Sequence, residues 1–402
     1  MNKRAFVTLC VAIFVAMLGM GIISPLMALY ADSMGANGIW LGLMYSGFSL
    51  ARALMQPITG WFSDKKGRKT IMVAGLAAYT LVSIGYAIAI NMYQLTVVRL
   101  LHGIASALVI PVAQAYVGDI IPKGKEGTYM GIFSMSMYLG MAAGPMLGGT
   151  VSDLYSMNTA FYIMAALAGC GLSLLVIFVP AIAPHERINK GKAAPMLAML
   201  KDNKIKAISL YLGARGILRQ GISAFLPLYA VKTMGLSTLE AAVLVTIYLL
   251  TEALSQLFMG PIADRFNRKA LMITGAIFAS ALGFFLNHMG NSFTMLLVLV
   301  PIAIMATVGR IPALAYNVEL GVKYGRMGSS MGITNAAQDL GHFIGPLITG
   351  WAIDAYGLST IFYTGSIAGM LALPLMSYWL FTREIGYTPE VAAEASPADP
   401  PK

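Results

Sequence analysis

Seven charged residues stand inside long apolar stretches of this sequence. The first is Arg52, in the run SLARALMQPITGW (49–61), which has no other charged residue within ten positions on either side. A charge at that depth in an apolar run is costly if it faces hydrocarbon, so it must face a water-filled space, a ligand or a partner. The seven residues are Arg52, Arg99, Arg215, Arg219, Glu252, Arg310 and Asp339.

Arginine dominates this set, and arginine is suited to binding anions. Its planar guanidinium group offers paired N–H donors to a carboxylate or a phosphate. The set holds five arginines and two carboxylates, a formal excess of three positive charges. We therefore predict a site for an anionic or zwitterionic substrate; as an alternative, Arg215 and Arg310 extend to lipid phosphates at the membrane edge. The candidate binding residues are Arg52, Gln56, Arg215, Arg219, Glu252, Gln256 and Arg310.

A carboxylate or an imidazole at the same depth could exchange protons. Glu252 is the first candidate, and Asp339 is the second. His342 follows Asp339 by three residues and can share its helix face. His102 is a further imidazole in an apolar run, and histidine titrates near physiological pH.

Arg52 and Glu252 are separated by 200 residues, and so are Gln56 and Gln256, which follow them by four positions. Residues four apart share a helix face. We predict that Arg52 and Glu252 face each other and pair directly or through the substrate. The alternative is that each binds a different local partner.

The elements that carry these charges are apolar runs long enough to cross a bilayer. Of the 402 residues, 58% are hydrophobic and 11% are charged, whereas soluble domains average about 25% charged. A crossing helix needs about 20 apolar residues. We predict an all-α membrane protein with twelve transmembrane helices. The runs are 6–30, 40–62, 70–90, 94–116, 128–150, 159–180, 207–230, 240–260, 270–289, 293–316, 328–350 and 359–381.

The basic residues outside these runs lie almost entirely on one side. If the N-terminus is cytoplasmic, 21 of the 27 Lys and Arg fall in cytoplasmic segments, and only Lys232 falls in an outer loop. This asymmetry follows the positive-inside rule and predicts a plasma or inner membrane protein with both termini in the cytoplasm. The net charge of +10 then meets anionic lipid, and we expect no nucleic-acid partner.

The two halves of the chain repeat each other. GWFSDKKGRK (60–69) recurs as GPIADRFNRK (260–269), and GMAAGPMLGG (140–149) recurs as GHFIGPLITG (341–350). Such a repeat predicts two six-helix halves related by an axis along the membrane normal. We predict an N-terminal half (1–183), a cytoplasmic linker (184–206) with a short surface helix in PMLAMLKD, a C-terminal half (207–381) and a disordered tail (382–402).

Three motifs resemble those of the major facilitator superfamily, and within it the twelve-span drug:proton antiporter group. The resemblance implies that superfamily's fold, with the two pseudo-symmetric halves around a central cavity, and transport by alternating access. It also implies a role for Arg99 in proton coupling. The motif residues are Gly60, Asp64, Gly67, Arg68 and Lys69 between spans 2 and 3, Arg99 and Gly103 in span 4, and Gly140, Gly144, Pro145, Gly148 and Gly149 in span 5.

The motifs also have physical roles. Asp64 and Arg68 can form a cytoplasmic charge lock, and Asp264 with Arg268 repeats it in the second half. The glycines of span 5 clear one helix face, and Pro145 invites a bend. We predict that this face forms a seam between the halves, with ordinary small-residue packing as the alternative.

These features favour a secondary transporter for small amphipathic or anionic organic compounds or drugs, working by proton-coupled efflux (antiport). The alternatives are an organic-anion uptake symporter or facilitator, a lipid or lysolipid flippase on the same fold, and a non-transporting receptor or enzyme. Span 1 lacks the acidic residue of many drug:proton antiporters, so coupling uses other residues or is absent. We expect no enzymatic activity, no cofactor and no metal, because the sequence has neither a nucleotide-binding G-x-x-x-x-G-K-[ST] nor a His/Cys cluster. The predicted partners are the substrate, protons and membrane lipids, and the chain is predicted to be a monomer.

Overall fold

The computed structural model describes residues 3–34, 38–181 and 196–382, and these ranges are almost entirely helical. Two short 3-10 helices, Leu286–His288 and Leu358–Thr360, accompany the α-helices. The α-helices are α1 (Lys3–Ser33), α2 (Gly38–Lys66), α3 (Arg68–Ile88), α4 (Met92–Ala107), α5 (Ile110–Ile120), α6 (Glu126–Leu154), α7 (Met157–Phe178), α8 (Met196–Lys201), α9 (Asn203–Met234), α10 (Thr238–Arg265), α11 (Arg268–Phe285), α12 (Ser292–Lys323), α13 (Met327–Tyr356) and α14 (Ile361–Phe381).

The helices agree with the twelve predicted apolar runs. Within the described residues, nine helical segments are long and apolar enough to cross a membrane. The other three long helices are α2, α9 and α13, which carry Arg52, the Arg215–Arg219 pair and Asp339. The predicted linker helix is present as α8. Residues 184–195 of the predicted linker and 383–402 of the predicted tail lie outside the described residues.

The fourth run forms two helices, where the sequence predicted one. The backbone N–H groups of Leu108 and Val109 bond to the carbonyls of Ala105 and Ser106, at 3.2 and 3.1 Å, in a tight turn between α4 and α5. Pro111 stands in the first turn of α5, where its missing N–H costs no intrahelical bond. The corresponding run of the second half stays one continuous helix, α12.

Side-chain caps explain why several helices begin directly after short connections. Ser237 Oγ accepts a bond from Glu240 N at 3.2 Å, and the Glu240 carboxylate accepts one from Ser237 N at 2.8 Å. This reciprocal capping box satisfies two N–H groups at the start of α10. Asn267 caps α11 in a similar way, with Oδ1 accepting from Lys269 N at 3.0 Å. The connection from α10 to α11 is therefore only two residues long.

The two sets of helices, α1–α7 and α9–α14, pack in the same arrangement. Helix α1 packs on α6 and α7 as α9 packs on α13 and α14, and α2 packs on α4 as α10 packs on α12. The first half (3–181) and the second half (196–382) meet along α2 with α13 and along α6 with α10. We call the end of the bundle that carries Lys65, Lys66, Arg265 and Lys269 the basic end; that it faces the cytoplasm remains a prediction.

Candidate functional site

Glu252 lies at the centre of a buried cluster of arginines in the second half. Its side chain is fully buried, and its Oε1 atom is paired with Arg215 Nη2. Its Oε2 atom accepts a bond from Arg219 Nε at 3.0 Å. Arg215 and Arg219 stand one turn apart on α9, so one face of that helix brings both cations to one carboxylate on α10.

Arg310 adds a third cation to the cluster from α12. It is 2% exposed, and its Nη1 atom donates to Gln256 Oε1 at 2.9 Å. The ring of Tyr138, from α6 of the first half, lies 4.8 Å from the guanidinium carbon of Arg310 and 5.0 Å from that of Arg219. The electron-rich ring face favours both cations. We call Arg215, Arg219, Arg310, Glu252, Gln256 and Tyr138 the arginine cluster.

Several N–H donors of the arginine cluster have no acceptor among the residues that the structure describes. They are the Nε and Nη1 atoms of Arg215, the Nε atom of Arg310 and the Nε2 atom of Gln256. A buried donor without an acceptor carries a desolvation cost. The cluster also holds three arginines for one carboxylate, so an anion would satisfy both its hydrogen-bonding capacity and its charge. The alternative role for Arg215 and Arg310, extension to lipid phosphates, is not what the structure shows, because both side chains are buried inside the bundle.

Asp339 on α13 forms a second buried node, and it joins the two halves. Its Oδ2 atom lies 3.0 Å from Arg52 Nε and accepts a bond from Gln56 Nε2 at 2.7 Å, both on α2. Its Oδ1 atom lies 3.1 Å from His342 Nδ1, one turn along α13. We call Arg52, Gln56, Asp339 and His342 the Asp339 bridge.

The prediction that Arg52 and Glu252 pair directly is wrong, whereas pairing through the substrate stays a prediction. Arg52 pairs with Asp339 across the halves, and Glu252 pairs with Arg215 and Arg219 within its own half. The repeat correctly places the two residues on equivalent helices, α2 and α10. Each of those helices, however, turns its charge toward a different neighbour, so equivalent positions have different partners.

Arg99 and His102 lie in an aromatic pocket of the first half. The guanidinium carbon of Arg99 lies 4.4 Å from the Phe48 ring centroid. His102 Nδ1 lies 3.0 Å from the hydroxyl of Tyr86, and the rings of Phe48 and Tyr79 pack edge-on against the imidazole. His102 is fully buried. Both residues are therefore separate from the arginine cluster.

The predicted charge lock of Asp64 and Arg68 is present at the basic end, and it reaches the opposite half. Arg68 Nη1 lies 2.7 Å from Asp64 Oδ1, and Arg68 Nε donates to Asp119 Oδ2 at 2.9 Å. Asp64 accepts bonds from the backbone N–H groups of Gly328 and Ser329, at 2.8 and 2.9 Å. A carboxylate at a helix N-terminus is favoured by the free N–H groups and the helix dipole, so Asp64 holds the start of α13 against α2.

The second half repeats this lock against α6. Asp264 accepts bonds from the backbone N–H groups of Gly127 and Thr128, at 2.6 and 2.8 Å. Arg268 lies 3.4 Å from Asp264 and 2.6 Å from Glu319. Arg268 also donates to Glu126 at 2.8 Å, across the halves. Position 327, which corresponds to Glu126 at the 201-residue offset that relates Gly127 to Gly328, is a methionine, so this carboxylate has no counterpart in the repeat.

The sequence predicts that the glycine face of span 5 forms a seam between the halves, and this prediction is wrong. Gly140, Gly144 and Gly148 face α1 of the same half, and a Cβ at Gly144 would overlap the backbone of Gly21. Gly149 has nothing within 4 Å of its Cβ position. The close approach allows the backbones of α1 and α6 to touch, as small residues do between membrane helices.

Other glycines form the seams between the halves, nearer the basic end. Gly131 of α6 faces the backbone of Gln256 and Gly260 on α10. Gly332 of α13 faces the backbone of Gln56 and Pro57 on α2. Each of α6 and α13 therefore contacts the opposite half near its beginning and its own half farther along.

The geometry, two bundles that repeat the same helix packing and carry buried charges, agrees with the family model that the sequence matches. The model described as Major Facilitator Superfamily matches residues 9–245 and 208–400. The chain belongs to the major facilitator superfamily. Its members are membrane transporters, so the chain is a polytopic membrane protein of the transporter class.

Two curated relatives and one solved structure are similar to the chain over nearly its whole length. It is 29% identical to an uncharacterized MFS-type transporter of Methanocaldococcus jannaschii, over 94% of this chain and 98% of the relative. It is 25% identical to the quinolone resistance protein NorA of Staphylococcus aureus, over 89% of this chain and 91% of the relative. The human organic anion transporter MFSD10 (TETRAN) has the same fold, with a TM-score of 0.82, 19% identity and coverage of 93% and 99%.

Sequence reasoning missed four residues of these networks. Asp119 and Glu319 bind the two lock arginines and are related by the 200-residue offset, so the repeat could have indicated them. Glu126 and Tyr138 act across the halves from α6. No sequence pattern marks either of them, because their importance comes from what α6 faces.

Proposed function

We propose that this chain is a secondary transporter that moves small organic anions across the membrane by alternating access. The observation that carries the proposal is the arginine cluster. Three buried arginines lie there with one carboxylate, which pairs with two of them, and N–H donors of Arg215, Arg310 and Gln256 are left without acceptors among the described residues. An organic carboxylate would supply the missing acceptor atoms and the missing charge. MFSD10, which has the same fold, is an organic anion transporter, and this supports the same class of substrate.

The basic end, in this proposal, faces the cytoplasm of a plasma or inner membrane, and the structure represents the state closed on that side. The supporting contacts are the two locks, in which Asp64 and Asp264 each cap a helix of the opposite half. The central contacts between the halves, at Arg52 and Tyr138, lie deeper in the bundle. Opening of the basic end then requires both locks to separate. The chain acts as a monomer surrounded by lipid, because one chain supplies both halves.

The direction of transport has two candidates. Efflux by proton antiport is predicted from the span 5 motif, and the similarity to the S. aureus quinolone resistance protein NorA supports an efflux role. Co-transport of a proton with the anion is favoured by another observation. The Asp339 bridge places a carboxylate and an imidazole beside the positively charged cluster.

Benzoate and tetraphenylphosphonium are suitable probes of the charge preference, because they are small, aromatic and of opposite sign. We expect benzoate, and not the cation, to raise the thermal unfolding midpoint of the purified full-length chain, as a ligand of the folded state does. Arg310→Gln should weaken benzoate binding by roughly 10- to 100-fold, since a hydrogen bond to a charged group is lost.

Arg265→Gln is the matched control for Arg310→Gln, because Arg265 is exposed at the basic end, outside the cluster. It should bind benzoate as the unmodified chain does. Stabilisation by tetraphenylphosphonium alone, or equal effects of the two substitutions, would contradict the anion site.

A further inference from the structure

Within the described core, Asp339 is the one buried carboxylate of α13 that pairs with an arginine of the opposite half. We propose that Asp339 and His342 form the proton-binding site of the transporter, and that proton and anion bind together and cross the membrane together. The inference rests on the organic-anion function proposed above. It assigns to the chain a proton–anion symport mechanism in place of antiport.

Glu252 is less suited to take up the proton, although it was the first candidate. Two guanidinium groups, of Arg215 and Arg219, are bound to its two oxygens. Protonation of Glu252 would leave both cations uncompensated in a buried place, beside the third at Arg310. A neutral Glu252 would therefore make the cluster less stable when no anion is bound.

Asp339 differs from Glu252 because only one arginine, Arg52, is paired with its carboxylate among the described residues. Its second oxygen faces His342 Nδ1 at 3.1 Å. The other ring nitrogen of His342, Nε2, is buried and has no hydrogen-bond partner among the described residues. The carboxylate and the imidazole together can therefore hold one added proton, on Asp339 or on His342.

The charged groups that face this site come from two neighbouring helices. Helix α2 supplies Arg52, which pairs with Asp339. Helix α9 supplies Arg219, which acts electrostatically on His342. The polar contacts of α13 with its other neighbours involve uncharged side chains: Gln114 of α5 with Asn335, Asn317 of α12 with Thr334, and Thr364 of α14 with Thr349.

The sign of the coupling follows from these charges. The arginine cluster and the Asp339 bridge together hold four arginines and two carboxylates, a formal excess of two positive charges with His342 neutral. An added proton increases this excess and releases Arg52 from its carboxylate. Both effects favour an anion nearby, and by linkage the anion favours the proton by the same factor.

Coulomb's law gives the size of the coupling between proton binding and anion binding. Two unit charges about 8 Å apart, at an effective dielectric constant of about 20, change each other's binding by roughly 30-fold. Antiport would need the opposite sign, with proton and substrate excluding each other. For a cation that binds a carboxylate this exclusion is natural, but for an anion that binds arginines it is not.

Isothermal titration calorimetry of the purified full-length chain with benzoate tests the inference. We expect the benzoate dissociation constant to fall at least 10-fold between pH 8 and pH 6, with benzoate itself remaining ionised. Titrations in two buffers of different ionisation heat should show net uptake of a proton with each benzoate. A dissociation constant that is independent of pH, or that rises on acidification, would overturn the coupling while leaving the organic-anion function in place.

Two substitutions locate the site. Asp339→Asn is neutral like the protonated carboxyl group, so it should bind benzoate at any pH about as tightly as the unmodified chain does at pH 6. Asp153→Asn, the same change at an exposed position, should keep the pH dependence. A full pH dependence in Asp339→Asn would overturn the assignment to Asp339.

If the Asp339→Asn variant does not fold, two independent measurements still test the proposal. The proton count of the unmodified chain still decides the coupling, and a count of zero overturns it. His342→Gln should shift the pH range of the effect, because the contact of Nδ1 with Asp339 is lost; an unshifted range overturns the placement. Absence of benzoate binding at every pH would instead contradict the proposed organic-anion function.

Discussion

Arg52 Nε lies 3.0 Å from Asp339 Oδ2, and this contact joins the two halves of the bundle near the middle of α2 and α13. Both side chains are largely withdrawn from solvent, with 14% and 1% exposed. Removal of one partner from a buried pair leaves the other charge uncompensated, whereas removal of both relieves that cost.

A double-mutant cycle should detect this pair as an energetic unit. Arg52→Gln should lower the thermal unfolding midpoint in detergent by an amount equivalent to about 3–5 kcal/mol, because it leaves a buried carboxylate uncompensated. Asp339→Asn should lower it by less, because this variant is neutral like the protonated carboxyl group. The double variant should be less destabilised than the sum of the two. Arg52→Gln combined with Glu252→Gln is the control, and there the effects should add, since these residues do not touch. Additivity in the first cycle with coupling in the second would contradict the structure.

The glycine seams between the halves predict a steric effect that depends on position. Gly332→Leu should force α13 away from the backbone of Gln56 and Pro57 and so disfavour closure of the basic end. Asn335→Cys, introduced together with Cys170→Ser, reports this opening, because Asn335 is buried against Gln114 of the opposite half. Maleimide labelling of the reporter should become faster in Gly332→Leu.

Gly149→Leu provides the matched control, because nothing lies within 4 Å of its Cβ position. It should leave reporter labelling unchanged. Equal labelling rates in the two variants would show that the Gly332 contact does not hold the basic end closed.

The lock at Arg268 predicts different roles for its carboxylates. Glu126 reaches Arg268 from the first half at 2.8 Å, whereas Glu319 belongs to the same half as Arg268 and its side chain is 49% exposed. Glu126→Gln should therefore speed labelling of the same cysteine reporter, and Glu319→Gln should change it little, as exposed ion pairs contribute about 0–1 kcal/mol. Faster labelling in Glu319→Gln alone would mean that the contact between halves is not the effective one.

The contacts of the Tyr138 ring with Arg219 and Arg310 can be tested by measuring benzoate binding to the arginine cluster. Tyr138→Leu removes the aromatic face beneath Arg219 and Arg310, and each such contact contributes about 0.5–2 kcal/mol. Benzoate binding should weaken by roughly 3- to 30-fold, because the cations are no longer held in place. Tyr138→Phe keeps the ring and should show the smaller loss in the same titration. A larger loss in Tyr138→Phe would assign the role to the hydroxyl group instead.

Much of the architecture could be predicted because hydropathy and repeats are local properties of the chain. Runs of about 20 apolar residues predict helices wherever they occur. The break at Leu108 and Val109 was not predicted, although Pro111 stood in the sequence as a signal. Its repeat partner, Pro312, lies inside an unbroken helix, so proline alone does not decide the break.

The lock residues could be predicted in part because the repeat presents them twice. Asp64 with Arg68 and Asp264 with Arg268 are four residues apart in each half, across a short connection between two helices, and this local spacing brings each pair together. The helix starts that these carboxylates cap, at Gly328 and Gly127, belong to segments far away in the chain. No local pattern carries that information.

The sequence by itself determined that the chain crosses a membrane, that it consists of two repeated sets of helices and that its charges at depth are mostly arginine. Only the tertiary structure decided which charge meets which. Arg52 and Glu252 occupy equivalent positions, but the rotation and crossing of α2 and α10 turn one toward Asp339 and the other toward Arg215 and Arg219. The cost of burying a charge requires that a partner exist, and the packing of the helices determines which partner it is.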